Sequence, residues 1–498
     1  MSLRIGLISP HSDIWAMGLR QISACLKTAG HETRLIFLPE PEERFYLPRP
    51  HPQAYSPAEI EQVCDLCADV DLVGIGLTSN FVGRARSLTE AIHRRMAVPV
   101  IWGGIHPTVR PEECLQWADF VCIGEGEQAI VEFVDCMASG KDHRHVQNIW
   151  LKDIANPVRP LNTALDTLPF PDYDLSSQYL LTEGRLVALT PPLLAEYAAY
   201  NFSGKARISY MTYMTRGCPY ACTYCCSNAL SQIYPDSRRI RQRSPERVIA
   251  EIEFARQVLP DLQGIVFSDE VLPAVKTEEL RRFGELYRQR VGLPFITSTT
   301  PGTITEEKLK CLIEAGLQDL RVGIQTGSPR IRELFGRSED DRLILTIAQR
   351  LNRFQKWIPA PRYDVITDNP YDTEADKLAT LRLAYQLPRP HRLQYFSLTF
   401  FPGTDLYRRA KVDGFIQDDE RDIYQKNFGQ MAPTYYNFVL LCFHYNLPRW
   451  LLWLMIQLLV FRACESAVMR GAVRAVWKII DWLRVGRSRR KHLIGRAE

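Results

Sequence analysis

The chain lacks a hydrophobic run that could span a bilayer, and it lacks a strong excess of either charge. The longest apolar stretch, Trp450 to Phe461, has twelve residues and already contains Gln457, whereas a spanning helix needs about 20. The 61 basic and 57 acidic residues leave a net charge of +4, which is too balanced for a chain-wide nucleic-acid binder. The first residues also lack a basic segment followed by an apolar core. We therefore expect a cytoplasmic protein without a signal peptide and without a nucleic-acid partner.

What is present fits a large globular protein. A length of 498 residues predicts two to four domains at about 150 residues each. Hydrophobic residues make up 46% and charged residues 24%, which excludes wholesale disorder and fibrous repeats. The 13 cysteines are typical of a reduced cytosolic protein that holds a metal site.

The first segment, residues 1–137, alternates short apolar runs with helical patterns. Such alternation predicts an α/β fold with a doubly wound, Rossmann-like parallel sheet. In these sheets ligands bind outside the carboxyl ends of the strands. The predicted strands are Arg4–Ser9, Thr33–Leu38, Asp71–Ser79, Val98–Gly103 and Asp119–Ile123.

A second alternation occupies residues 208–410 and predicts a partial (β/α)6, TIM-like barrel. The reactive mouth of such a barrel lies at the carboxyl ends of its strands. The predicted strands are Ile208–Met214, Gly264–Ser268, Phe295–Thr299, Asp319–Ile324, Tyr363–Thr367 and Gln394–Phe400. The predicted helices are Ser244–Val258, Thr277–Arg290, Thr305–Ala315, Arg342–Phe354 and Thr373–Leu387.

Two further segments complete the predicted organisation. Residues 138–207 are rich in proline and are interpreted as a linker that packs on both neighbours. Residues 411–498 are interpreted as a helical C-terminal domain.

Three cysteines after the first barrel strand carry the strongest chemical signal. Cys218, Cys222 and Cys225 have the spacing C-x3-C-x2-C on a loop with glycine and proline. Soft thiolates at this spacing suit an iron–sulfur cluster or zinc. A structural zinc site needs four ligands, and the neighbouring Cys226 is interpreted as packing. The residues alone leave zinc, an electron-transfer cluster, and a 4Fe–4S cluster with one open iron as alternatives.

The cysteine motif resembles that of the radical S-adenosylmethionine (SAM) superfamily, and the resemblance extends over residues 208–410. It implies a 4Fe–4S cluster held by the three cysteines, with SAM bound at the open iron and cleaved to a 5′-deoxyadenosyl radical. Phe267–Glu270 resembles the acidic element of the family, and Val322–Ser328 resembles its glycine-containing strand, although Gln325 stands where many relatives have glutamate. The residues that the resemblance assigns to SAM binding are Tyr224, Asp269, Glu270, Ser298, Gln325 and Phe401.

The N-terminal segment resembles the cobalamin-binding domain that precedes many radical SAM cores. Its first loop contains His11 but does not fit the D-x-H-x-x-G motif whose histidine ligates cobalt, so the resemblance is to the branch without that ligand. Glu127 is interpreted as an acid in the first turn of a helix. The residues that the resemblance assigns to cobalamin binding are Ser79, Gly103, Gly104, His106, Gly124, Glu125 and Gly126.

The two resemblances together imply a cobalamin-dependent radical SAM methyltransferase. The expected reaction is methylation of an unactivated carbon in a small-molecule or lipid-like substrate, with electrons from a flavodoxin- or ferredoxin-like donor. Radical oxidation, cyclisation or rearrangement with the same cofactors is the alternative, and a non-enzymatic electron carrier or redox sensor is a third hypothesis. The sequence identifies no catalytic side chain.

The C-terminal residues 448–498 leave two interpretations open. An apolar segment followed by basic residues is typical of a helix that lies on an anionic membrane surface. The same pattern is also compatible with a buried helix that caps the barrel. The first interpretation predicts peripheral membrane contact.

Overall fold

The computed structural model describes residues 1–11, 13–39, 52–466, 469 and 471–480. Two large sheets dominate this part of the chain, one of eight strands and one of seven. Helices follow most of the strands, which confirms the predicted α/β class.

The N-terminal sheet is parallel and doubly wound, as predicted. Its strand order is β6-β5-β4-β3-β1-β2-β7-β8, in which only the two edge strands run antiparallel to their neighbours. The chain order reverses between β1 and β3, and such a reversal creates a crevice at the carboxyl ends of the strands. The elements of this unit are β1 (Arg4–Ser9), α1 (Met17–Thr28), β2 (Glu32–Phe37), α2 (Pro57–Leu66), β3 (Leu72–Gly76), α3 (Val82–Arg95), β4 (Val100–Gly103), α4 (Ile105–Val109), α5 (Pro111–Cys114), β5 (Phe120–Cys122) and α6 (Glu127–Ser139).

The proline-rich segment is part of both sheets. Its strands β6 and β7 pair with β5 and β2 of the first sheet, and β9 pairs with β10 of the second. The boundaries between domains stay a prediction. The elements of this segment are β6 (Ile149–Trp150), β7 (Gln178–Thr182), β8 (Arg185–Ala188), α7 (Pro191–Tyr197) and β9 (Ala199–Phe202).

The second sheet is the predicted partial barrel. Six parallel strands run in the order β17-β16-β15-β14-β13-β10, and β9 adds an antiparallel edge. The helix predicted from Ser244 begins at Pro245, and Ser244 is its N-cap, because its side chain accepts a hydrogen bond from the Arg247 amide. The elements are β10 (Lys205–Thr212), β11 (Thr215–Arg216), α8 (Cys226–Leu230), β12 (Arg241–Gln242), α9 (Pro245–Val258), β13 (Gly264–Phe267), α10 (Thr277–Arg290), β14 (Phe295–Thr299), α11 (Glu306–Ala315), β15 (Leu317–Gln325), α12 (Pro329–Leu334), α13 (Asp341–Arg353), β16 (Arg362–Thr367), α14 (Glu374–Gln386) and β17 (Arg392–Ser397).

One of the remaining helices, Tyr435–His444, covers the open edge of the barrel. The remaining helices are α15 (Asp405–Val412), α16 (Tyr435–His444), α17 (Arg449–Met455) and α18 (Leu458–Glu465), and residues 471–480 are helical as well. Helix α16 lies beside β17, where His444 Nδ1 donates to the Leu393 carbonyl at 2.6 Å. An edge strand covered in this way cannot pair with another chain.

The amino ends of the barrel strands are closed by ion pairs. Arg362 contacts the fully buried Asp319 at 2.7 Å, and Arg321 contacts Asp364 at 3.2 Å. These pairs occupy neighbouring positions on β15 and β16. Access to the interior is therefore from the carboxyl ends of the strands.

Candidate functional site

The cysteine loop begins where β10 ends and is held by its own backbone. Gly217 has a φ of +99°, and a Cβ at this position would lie 2.7 Å from the Arg239 carbonyl oxygen. Only glycine allows both that conformation and that approach. The amide of Thr223 donates to the Phe335 carbonyl at 3.1 Å, which ties the middle of the loop to the segment after α12.

The three predicted ligands lie on one loop, and the charges of Cys222 and Cys225 act on Cys218. Cys222 is buried, and Cys218 and Cys225 are half-buried. Burial, together with the charges of Cys225 and Cys222, raises the pKa of Cys218 to about 11. A hydrogen bond from the Cys226 thiol lowers the pKa of Cys225 to about 6, which favours the thiolate that binds metal. In the described ranges, no three His, Cys, Asp or Glu side chains are grouped so as to hold a single metal ion.

Asp269 anchors the start of the loop. Its buried carboxylate accepts hydrogen bonds from the Thr215 amide at 2.6 Å, from the Thr215 hydroxyl at 2.5 Å and from the Met214 amide at 3.1 Å. Burial nevertheless raises the pKa of Asp269 to about 6. These contacts give Asp269 a positioning role at the end of β10, and its predicted contact with SAM stays a prediction.

Glu270 is the exposed member of the acidic pair. It follows Asp269 at the carboxyl end of β13, and its side chain is exposed. Partial desolvation by the surrounding protein, together with the charges of Asp269 and Cys225, raises the pKa of Glu270 to about 7. The influence of Cys225 places this acid beside the cysteine loop. Of the two predicted acids, Glu270 is the one available to a ligand.

The other residues predicted to bind SAM lie at or beyond the carboxyl ends of barrel strands. Ser298 is half-buried on β14. Gln325 ends β15 with a φ of +60°, where the pairing with β16 shifts register. A non-glycine residue in this region is strained and is held there by its surroundings. Tyr224 packs edge-on against Phe335 at 4.9 Å, and Phe401 is partly buried in the same core. Their SAM contacts stay predictions.

Arg337 is a site residue that the sequence did not reveal. Its guanidinium lies 3.9 Å from the Cys222 sulfur and 3.5 Å from the Tyr224 hydroxyl, and it pairs with Glu339 at 2.9 Å. Both charged side chains are 5% exposed. A buried cation beside a thiolate stabilises negative charge on sulfur. Arg337 lies far along the chain from the cysteines, so no local pattern identifies it.

In the N-terminal unit, several residues predicted to bind cobalamin are used for packing. His106 is fully buried; its Nδ1 lies 3.0 Å from the Ser79 hydroxyl, and its ring meets Tyr424 edge-on at 5.3 Å. Burial lowers the pKa of His106 to about 3, so the imidazole is neutral. Gly103 ends β4, and Gly104 precedes α4. The contacts of these residues with cobalamin stay predictions.

The loop after β5 contacts the cysteine loop directly. Gly124 has a φ of +69°, and a Cβ there would lie 1.8 Å from the Tyr234 hydroxyl oxygen. Glu125 pairs with Arg241 at 2.7 Å and with Arg216 at 3.3 Å. Gly126 is the N-cap of α6, and Glu127 lies in its first turn, as predicted. Cobalamin contacts for Gly124, Glu125 and Gly126 stay predictions.

The crevice between β1 and β3 has the features of a cofactor cradle. Ser9 ends β1 with a buried hydroxyl that has no hydrogen-bond partner among the residues that the structure describes. His11, two residues further on, stacks on Phe81 at 4.7 Å, and burial lowers its pKa. An unsatisfied hydroxyl and a neutral imidazole at a topological switch point fit a bound ligand with polar edges. The residues at this edge of the sheet therefore fit cobalamin.

The fold and the site define a metal-cluster protein of α/β class with a second, cofactor-holding domain. The model of the radical SAM superfamily matches residues 212–384, and the model of the B12-binding domain matches residues 3–134. The chain is thus a radical SAM enzyme with an N-terminal B12-binding domain. Its cofactors are a 4Fe–4S cluster, SAM and cobalamin, and the donors on the cysteine loop and at the β1–β3 crevice fit these groups.

Curated relatives share about a quarter of their residues with this chain. An uncharacterised methyltransferase of Pyrococcus horikoshii is 26% identical over 70% of this chain and 71% of its own. The bacteriochlorophyllide d C-8(2)-methyltransferase of Chlorobaculum tepidum is 25% identical over 72% of each chain. The anaerobic magnesium-protoporphyrin IX monomethyl ester cyclase of Rubrivivax gelatinosus is 24% identical over 69% of this chain but only 60% of its own.

Solved structures share the fold. The radical SAM methyltransferase TsrM from Kitasatospora setae, with cobalamin and a 4Fe–4S cluster bound, superposes with a TM-score of 0.60 at 16% identity, over 83% of this chain and 75% of TsrM. The cobalamin-dependent radical enzyme OxsB, with aqua-cobalamin and SAM bound, superposes with a TM-score of 0.66 at 13% identity, over 97% of this chain and 72% of OxsB.

Proposed function

We propose that this enzyme methylates an unactivated carbon of a small-molecule or lipid-like substrate. The observation that carries the proposal is the contact between the two cofactor domains at the cysteine loop, where Arg216 reaches Glu127 of the B12-binding domain at 2.7 Å. When bound, the cluster, SAM and cobalamin supply the radical and methyl-transfer chemistry, and the protein supplies orientation and exclusion of water.

The side chains of the barrel have three tasks in this proposal. Cys218, Cys222 and Cys225 hold the cluster, with Arg337 beside them. Glu270, Ser298, Gln325, Tyr224 and Phe401 bind SAM, and Glu270 is the group that pairs with its ammonium. The ion pairs at the amino ends of the strands close the barrel, so the substrate enters from the side that faces the B12-binding domain.

The names of the relatives identify a ring-forming reaction as the alternative to methyl transfer. Two relatives are named as methyltransferases, but the Rubrivivax gelatinosus relative is named as a cyclase. A ring-forming oxidation with the same cofactors is therefore the second candidate. Relatives named for bacteriochlorophyllide and protoporphyrin also make a tetrapyrrole the first substrate class to test.

Product analysis separates the two candidates. The anaerobically reconstituted protein is given SAM, cobalamin, a reductant and a tetrapyrrole ester. Methyl transfer predicts S-adenosylhomocysteine, 5′-deoxyadenosine and a product 14 mass units heavier, a gain that corresponds to about one CH2 group. A cyclase predicts 5′-deoxyadenosine without S-adenosylhomocysteine. Absence of both nucleoside products from an iron-loaded protein would contradict the whole proposal, and a flavodoxin or ferredoxin is the expected physiological reductant.

The apolar face of α17 supports a peripheral membrane contact as part of this proposal. Trp450, Trp453 and Leu454 are 70%, 53% and 45% exposed. In the sequence, residues 481–498 contain six basic and two acidic residues. The net charge of this segment is therefore +4, the same as that of the whole chain. Aromatic and basic groups together suit an anionic membrane surface. Within the described ranges, none of the helices is both long and apolar enough to cross a bilayer.

This apolar face lies at the amino ends of the barrel strands. Arg449, at the start of α17, donates to the Tyr385 carbonyl near the end of α14, and the Leu447 carbonyl accepts from Arg389. A membrane contact there would anchor the enzyme and would not deliver substrate to the cysteine loop. Flotation with phosphatidylglycerol vesicles should recover the native protein and should fail for W450A/W453A; equal flotation of both would contradict the anchor.

A further inference from the structure

Two arginines flank the cluster loop at its base. Residues 215–216 and 241–242 form a two-stranded ribbon in which Arg216 stands directly opposite Arg241. The segment between them, residues 217–240, contains all three cluster cysteines. Like charges directly opposite on paired strands repel each other. The ribbon that closes the cluster loop therefore needs a neutralising group.

Glu125 of the B12-binding domain supplies that group. Its Oε1 accepts from Arg241 Nη2 at 2.7 Å and from Arg216 Nη1 at 3.3 Å, while Oε2 accepts from Arg241 Nη1 at 3.0 Å. Arg216 also pairs with Glu127 at 2.7 Å. We call Glu125, Glu127, Arg216 and Arg241 the interdomain clasp. Their side chains are 9–23% exposed, so water screens their charges weakly.

The loop that carries Glu125 reaches the cluster segment at a further point. The Tyr234 hydroxyl accepts from the Glu125 amide at 3.3 Å and from Asn148 Nδ2 at 3.1 Å, and it lies against the backbone of Gly124. Both stems of the cluster segment and one residue within it are thus fixed by the B12-binding domain. Removal of the Glu125 charge would leave Arg241 without this carboxylate in a partly buried place, directly opposite Arg216, which still pairs with Glu127.

We propose that Glu125 is a positioning residue of the radical reaction, which holds the base of the cluster loop closed by neutralising Arg216 and Arg241. It acts through the arginines and touches neither the cluster nor the substrate. The inference rests on the proposed function only in that the cysteine loop carries the cluster; it does not depend on which substrate is converted.

The test compares Glu125→Gln with a double variant and a matched control. Glu125→Gln should lower the rate of reductive SAM cleavage about tenfold, equal to about 1.4 kcal/mol, and should change the electron paramagnetic resonance spectrum of the reduced cluster with SAM. Glu125→Gln/Arg241→Gln removes one of the repelling charges. Its rate of SAM cleavage should be at least about threefold higher than that of Glu125→Gln, which equals about 0.6 kcal/mol. Glu132→Gln removes a half-exposed carboxylate of α6 that pairs with Arg159, and this variant should match the native protein.

The possible outcomes distinguish charge repulsion at the base of the loop from a purely structural role. Rescue by the double variant supports repulsion at the base of the loop, since a purely structural role for Arg241 predicts further loss. A Glu125→Gln protein with native cleavage and spectrum, or a double variant worse than the single one, would overturn the inference. Iron content and thermal midpoint are measured for every variant. A native protein that loads iron and shows the spectrum but methylates nothing would count against the proposed function alone.

Discussion

The carboxyl ends of the strands do different work in the two sheets. In the barrel they carry the cysteine loop and Glu270 within electrostatic reach of each other, and Asp269 fixes the backbone at the start of the loop. In the B12-binding domain, some residues at the carboxyl ends of the strands form contacts with the barrel domain instead. Glu125 pairs with arginines of the cluster ribbon. A strand-end motif can therefore serve chemistry in one domain and assembly in the other.

The strongest test of this contrast is the loss of a cluster ligand. Cys222→Ala should reduce 5′-deoxyadenosine formation to background, because a 4Fe–4S cluster with one iron open to SAM needs cysteine ligands on its other three irons. Cys311→Ser is the matched control, since this half-buried thiol lies on α11, which packs against α10. Anaerobic chromatography of the nucleosides measures both. Retention of SAM cleavage by Cys222→Ala would show that another group holds the cluster.

The adjacent acids Asp269 and Glu270 should separate positioning from binding. The Asp269 carboxylate accepts hydrogen bonds from two amides and a hydroxyl, whereas the NH2 group of asparagine can only donate. Asp269→Asn should therefore lower the free energy of unfolding by about 3 kcal/mol. We also expect it to lose much of its iron. Glu270→Gln should load iron normally and weaken SAM binding. Iron analysis and equilibrium binding of SAM provide the readouts. The same phenotype in both variants would contradict the division of roles.

Substitutions at two glycines test which contacts at the strand ends stabilise the association of the two domains. Gly124→Ala places a Cβ against the Tyr234 hydroxyl at a positive φ and should cost about 1–3 kcal/mol. Gly103→Ala meets no atom closer than 3.8 Å and should stay within about 0.5 kcal/mol of the native protein. Chemical denaturation monitored by tryptophan fluorescence compares them. Equal stabilities would mean that the Tyr234 contact is not formed.

The smallest expected effect concerns pH and His106. The pKa of its buried imidazole is lowered to about 3, so the unfolded chain binds more protons between pH 6.5 and 3. Stability should therefore fall as pH falls through this window, by about 1–2 kcal/mol from pH 7 to pH 5. His106→Gln should remove this part of the pH dependence. An identical slope in both proteins would assign the effect to other groups.

Periodicity predicted the elements well, because buried strands and amphipathic helices carry local patterns. Helix Thr277–Arg290 and strand Phe295–Thr299 agree with the structure at both ends. The strand predicted over Asp71–Ser79 is shorter, because residues 79–81 form a 3-10 turn after β3. The cysteine loop was equally visible, since its three ligands lie close together in the chain.

Pairings between distant segments were not predictable. Gly124 was interpreted as a place for cofactor approach, but the atom nearest to it belongs to Tyr234, 110 positions later. Arg337 reaches Cys222 from the segment after α12, and no spacing announces such a contact. Asp269 and Glu270 are alike in sequence, and only the backbone direction at the end of β13 separates the anchored acid from the exposed one.

The segment between the two domains has a consequence for how the enzyme is loaded. Strands β7 and β8 belong to the first sheet and β9 to the second, with only the seven-residue helix α7 and a few flanking residues between them. The Tyr197 hydroxyl at the end of α7 also bonds to Thr182 of β7 at 2.9 Å. Because this connection is short and hydrogen-bonded, we expect the two sheets to keep their orientation and the corrinoid to enter from the side, between the domains.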